Sequence, residues 1–120
     1  MKIAYLCEFS YPSKCGVWNT IYPVAKELQK KGHEIHIFSS NVIKGTDKHS
    51  PTSEKIEGIT YHRFKPILTT TENGLIWNFI NELIKIKPDI IHAHAYRHPH
   101  ANIAPIIAKK MKVLCYLTTH

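Results

Sequence analysis

The feature that most constrains this chain is an alternation: short runs of consecutive apolar residues, each followed by a breaker and then by an apolar pattern at helical spacing. Residues 2–9 contain Ile3, Tyr5, Leu6 and Phe9 and suit a strand buried on both faces. After the breaker Ser10-Tyr11-Pro12-Ser13-Lys14-Cys15-Gly16 the period changes. Val17, Ile21, Val24, Ala25 and Leu28 form one helical stripe, which stops at Lys30-Lys31-Gly32, a basic last turn followed by a helix-ending glycine. Residues 34–39 read as a second strand, joined by a connection that can only turn the chain back beside the first. Strand, helix and strand of this length make a parallel, right-handed βαβ unit.

The alternation continues. Residues 41–58 carry Gly45, Asp47 and Pro51 without an apolar period and predict a long loop, and residues 59–64 predict a third strand. Leu75, Ile76, Phe79, Ile80, Leu83 and Ile84 predict a helix over three turns, ended by Pro88. Residues 90–95 read as a fourth strand and 113–119 as a fifth. Between them lies a helix over 102–110 with Ile103, Ile106, Ile107 and Met111 facing inward. With Asn102 as its cap, Pro105 falls in the first turn, where a missing N–H costs little. The expected fold class is α/β: a Rossmann-like, doubly wound parallel sheet of about five strands in three layers, binding ligands beyond the carboxyl ends of its strands.

Size and composition narrow the functions open to such a fold. At 120 residues and 43% apolar content, residues 1–120 close one core and leave no room for a second domain. No run of about 18 apolar residues occurs, so a cytoplasmic protein is expected. Cys7, Cys15 and Cys115 are odd in number and form no C-x-x-C pair. The formal charge of +7 favours an anionic partner, but Lys30, Lys31, Lys85, Lys87, Lys109 and Lys110 fall where helices end and complement their dipoles. No arginine-rich stripe interleaved with aromatics appears, so nucleic acid is not an expected partner.

Several residues have the chemistry of a site. Gly16 stands alone, without the G-x-G-x-x-G spacing of a nicotinamide or flavin site. It still lets a ligand approach the backbone, where the N–H groups of Val17, Trp18 and Asn19 face any anion; a tight turn is the alternative reading. His92 and His94 share one strand face, and with His98 and His100 they hold the ingredients of a metal site, although no cysteine or carboxylate follows Asp89 nearby. Asp89 precedes its strand and is expected at the opposite, structural edge. Glu8 could bond an acceptor hydroxyl, and Tyr11 and Trp18 could stack on a sugar ring or simply pack. Lys14, Trp18 and Trp77 would suit peripheral contact with an anionic membrane.

The ordered set Pro12-Ser13-Lys14-Cys15-Gly16-Val17, Val24-Ala25-Lys26-Glu27-Leu28, Lys31-Gly32-His33-Glu34-Ile35, Lys87-Pro88-Asp89-Ile90-Ile91-His92-Ala93-His94 and Leu117-Thr118-Thr119-His120 resembles the N-terminal domain of GT-B fold, family 4-like retaining glycosyltransferases. The resemblance implies a nucleotide diphosphate-sugar as donor substrate, a sugar or lipid-linked acceptor, no tightly bound cofactor and no required metal. It also implies a C-terminal donor domain, absent from these residues, without which they should be inactive. Cys15 stands where the family has the first of two glycines, so the role toward donor phosphate carries over to Gly16. His120 matches the histidine that lies against the transferred sugar and is the expected catalytic residue. Cys15, Gly16, Val17, Glu8, His94 and Tyr96 are the expected donor- or acceptor-binding residues. The rival readings are a phosphate- or nucleotide-binding module without catalysis, and a metal site at His92, His94, His98 and His100.

Overall fold

The computed structural model describes residues 1–12, 16–43, 50–65, 68–70, 74–76, 79–94 and 99–118, with side chains undescribed for 68–70, 74–76 and 99–102. The elements run β1 (Lys2–Leu6), α1 (Gly16–Lys30), β2 (Glu34–Ser40), β3 (Ser53–Ile56), β4 (Ile59–Phe64), β5 (Leu68–Thr70), β6 (Gly74–Ile76), α2 (Ile80–Ile86), β7 (Ile90–His94), α3 (Pro99–Met111) and β8 (Leu114–Thr118). Six strands form one sheet in the order β3-β4-β2-β1-β7-β8, while β5 and β6 make a separate antiparallel pair. Strands β4, β2, β1, β7 and β8 run parallel to one another, and β3 pairs antiparallel to β4. The Rossmann-like α/β class is therefore observed, with one antiparallel strand added at an edge.

Two packed layers flank the sheet. On one face Trp18, Ile21 and Ala25 of α1 bury against Ile3, Tyr5, Ile35, Ile37, Ile59 and Tyr61. On the other, Phe79 and Leu83 with Ala104 and Ala108 of α3 cover Ala4, Leu6, Phe38, Ile91 and Ala93. Helix α1 ends as its sequence directs: Gly32, at φ 96°, lets the His33 N–H reach the Leu28 carbonyl and its own N–H reach Gln29. Helix α3 closes the same way with Lys112 at φ 59°, its N–H on Lys109 and that of Val113 on Ala108.

Four expectations are corrected. Within the expected 41–58 loop, Ser53–Ile56 is a strand, paired antiparallel to β4 with Ile56 opposite Ile59. The turn between them is Glu57-Gly58, both at positive φ, the backbone twist that two-residue hairpins prefer. The three-turn helix shortens to Ile80–Ile86, because Leu75 and Ile76 belong to β6. Helix α3 begins at Pro99, not Asn102, so Pro105 lies inside it and denies the carbonyl four residues earlier its usual donor. Single members of the expected inward faces turn out: Ile106 is 58% exposed, while Ile103, Ile107 and Met111 pack on the core beside buried Ala104 and Ala108, and Val24 and Ile84 are exposed.

Candidate functional site

The parallel strands bring their carboxyl ends to one edge of the sheet. From β1 the chain crosses through α1 to β2 on one side, and later returns to β7 on the other. The tips of β1 and β7 therefore flank the point where the winding reverses, the position at which open α/β sheets hold ligands. Glu8 follows β1, Gly16 opens α1, and His94 ends β7, so these expected residues share that edge. Cys15, Tyr96, His98 and His120, and the side chain of His100, lie outside the described residues, as do Lys14 and Trp77.

The loop leaving β1 is held down residue by residue. The Cys7 N–H donates to Phe38 O at 3.0 Å, and the Glu8 carbonyl accepts from both the N–H and the hydroxyl of Ser40, at 3.1 and 2.8 Å. The Ser10 and Ser39 hydroxyls meet at 2.7 Å. Arg63, 2% exposed, completes the clamp: its guanidinium donates to the Tyr11 and Pro51 carbonyls and to the Glu54 carboxylate, with its Cζ 4.6 Å from the Tyr61 ring centre. Sequence reasoning missed Arg63. Its signal was parity, since Ile59, Tyr61 and Arg63 alternate on the buried side of one strand, and a cation there needs acceptors brought to it.

Beyond this anchored stretch, α1 offers its N-terminus. No acidic side chain occupies its first turn, and among the described residues a Cβ built on Gly16 meets no atom within 4 Å. Neither a positive φ nor close packing demands glycine at this position. Val17 is half-buried against the core, leaving its N–H as the group that faces the edge. Trp18 is 5% exposed, edge-on to Tyr61 at 6.0 Å and 5.6 Å from Tyr22, which makes it core; the sugar-stacking and membrane roles considered for it are withdrawn. Tyr11 remains exposed near Tyr61.

At the β7 tip, Tyr5, His92 and Tyr116 form a lateral row across β1, β7 and β8, with ring centres 5.4 and 6.1 Å apart. His92 and His94 do share a face. Their rings stack at 4.2 Å, and His92 Nε2 is 2.7 Å from the Thr118 hydroxyl. His94, which ends β7, is buried at 4% exposure. Among the described residues no three metal-ligating side chains converge. Burial raises the Tyr5 phenol above its ordinary range, so it acts here as a neutral ring. Asp89 sits at the opposite edge as expected, its carboxylate accepting from the Lys2 N–H at 2.7 Å.

Comparison with known proteins adds to this geometry. The family model described as Glycosyl transferase 4-like matches residues 2–120. Among solved structures, the catalytic domain of starch synthase IV from Arabidopsis thaliana, bound to ADP and acarbose, superimposes with a TM-score of 0.65 at 18% identity. The match covers 99% of this chain and 33% of that one, so the chain spans about a third of its length. No curated protein matches the chain. No helix among the described residues is long and apolar enough to cross a membrane.

Proposed function

The chain belongs to the glycosyl transferase 4-like family, and from that premise we propose that it is the acceptor-side half of a retaining glycosyltransferase, moving a sugar from a nucleotide diphosphate-sugar to a sugar or lipid-linked acceptor. A second Rossmann-like domain would bind most of the nucleotide, and closure of the cleft between the two would exclude water. In the related starch synthase structure a nucleoside diphosphate is bound together with acarbose, which supports donor and acceptor sites of this kind. The reaction as proposed needs no resident cofactor or metal and runs in the cytoplasm, with peripheral membrane contact where the acceptor is a lipid.

The observation that carries the reading is the space beside Gly16 among the described residues, at a helix N-terminus with no acid in its first turn and next to the winding reversal. In this proposal the N–H groups of Gly16 and Val17 face the donor phosphate. Cys15 lines that approach, Glu8, His94 and Tyr96 form the acceptor side, and His120 bonds a hydroxyl of the transferred sugar as the catalytic contact. The test is Gly16→Val in the two-domain enzyme. Since a Cβ at this position meets no described atom within 4 Å, stability should hold while the donor KM rises about tenfold, near 1.4 kcal/mol, with kcat little changed. An unchanged KM would remove the loop from the donor site.

These 120 residues alone should not turn over a nucleotide sugar, because half of the cleft would be missing. Release of nucleoside diphosphate from ADP-glucose or UDP-glucose, followed with time, checks this. Sustained turnover would contradict the two-domain mechanism, and tight binding of ADP without turnover would favour a phosphate-binding module.

A further inference from the structure

Away from the β1/β7 edge, four titratable side chains form a line across β2, β4 and α2. The Glu34 carboxylate is 2.6 Å from His36 Nε2, His36 Nδ1 is 2.8 Å from His62 Nε2, and His62 Nδ1 is 3.6 Å from the Glu82 carboxylate. The two imidazoles stack at 5.0 Å, and Phe38 stacks on His62 at 4.6 Å. His36 is 8% exposed. At its outer end the line opens on a cleft of about 340 Å³, walled by Thr52, Ser53, Phe64 and Lys65 together with His62 and Glu82.

Proton accounting shows what such a line can hold. Ionised Glu34 only accepts, so His36 Nε2 carries a proton. Neutral His36 then has a bare Nδ1, which accepts from His62 Nε2–H. A first added proton goes to His62 Nδ1, where it faces Glu82 and leaves the ring-to-ring bond intact. A second has no place, because His36 Nδ1 and His62 Nε2 would both carry hydrogen across 2.8 Å, inside two stacked cations. We propose that the His36–His62 pair is an acid-sensitive latch, fastening the β4–α2 corner while it holds at most one shared positive charge and releasing that corner when it must hold two.

The surrounding charges do not cancel this effect. Lys2 of β1 lies 3.7 Å from Glu34, and it also donates to the Ile86 carbonyl at the end of α2. Lys55 of β3 sits opposite Thr60 on the same sheet face, and Lys55, Lys65 and Lys85 of α2 are exposed. Among the described residues, Glu34 and Glu82 are the acids in direct reach of the rings. His62 is held below the ordinary imidazole range, first by burial and then by His36, with Glu82 acting in the opposite sense. The unfolded chain therefore takes up this proton near pH 6.5, before the folded chain does. Stability is complete above that pH and falls as pH drops through it.

Imidazole ¹⁵N spectra and amide hydrogen exchange on the full chain, between pH 7.5 and about 5, test the latch. His62 should take up its proton below the ordinary imidazole range, and the bond between His36 Nδ1 and His62 Nε2 should persist through that step. Exchange protection of β4 and of the Leu83 N–H, which bonds the Phe79 carbonyl, should fall about tenfold more than that of β1 and β7. Replacing both histidines, His36→Gln with His62→Gln, should abolish that pH dependence. If the double variant does not fold, Glu82→Gln serves instead and should lower the first titration step while keeping the ring-to-ring bond. Two independent titrations near pH 6.5, or protection lost evenly across the sheet, would overturn the proposal.

Discussion

Replacing Arg63 by alanine is expected to lower the free energy of unfolding by about 3–5 kcal/mol. The guanidinium is buried and ties β4 to two other stretches of chain: Tyr11 after β1, and the Pro51–Glu54 stretch that leads into β3. Alanine would leave a carboxylate and two carbonyls short of donors and remove the cation from the Tyr61 face. Arg63→Lys keeps the charge but not the fork that serves several acceptors at once, so it should recover only part of the loss. Urea unfolding at constant m-value reads both variants, and a loss below about 1 kcal/mol for alanine would show that the clamp is dispensable.

Leu83→Ala should cost about 2–5 kcal/mol, through lost burial and an unfilled space between α2 and the sheet. Helix α2 has 7 residues, fewer than a helix needs to persist without packing, and Leu83 is its one fully buried side chain. The loss should therefore be local as well as global: amides of α2 would exchange before those of β1 and β7, and Glu82 would leave His62. Denaturant midpoints together with site-resolved hydrogen exchange measure this. Retention of native α2 protection would mean that Phe79 alone docks the segment.

The β1–α1–β2 unit was legible because each boundary is written locally: the apolar run, the change of period after Gly16, and Gly32 closing the helix. Strand β3 was not, since Ser-Glu-Lys-Ile on an outer strand has little apolar alternation and its sign is the Glu57-Gly58 turn. Leu75 and Ile76 fit helical spacing with Phe79 and Ile80 yet pair as a strand, because period alone cannot separate short apolar runs. The start of α3 was misread by giving Pro105 a first-turn position when Pro99 already held it. At the candidate site, the common edge of Glu8, Gly16 and His94 follows from strand direction and was predictable. The Arg63 clamp and the His36–His62 line were not, because both join strands through side chains whose pairing depends on sheet register.

The two margins of the sheet are built differently. The outer strand Ser53–Ile56 places Glu54 and Lys55 where another backbone would have to approach, a common safeguard against unwanted annealing. The opposite outer strand, Leu114–Thr118, has no charge and no proline, and it exposes Leu114, Tyr116 and Leu117. Growth of the sheet by addition of a further strand is thus chemically permitted beside Leu114–Thr118 and discouraged beside Ser53–Ile56.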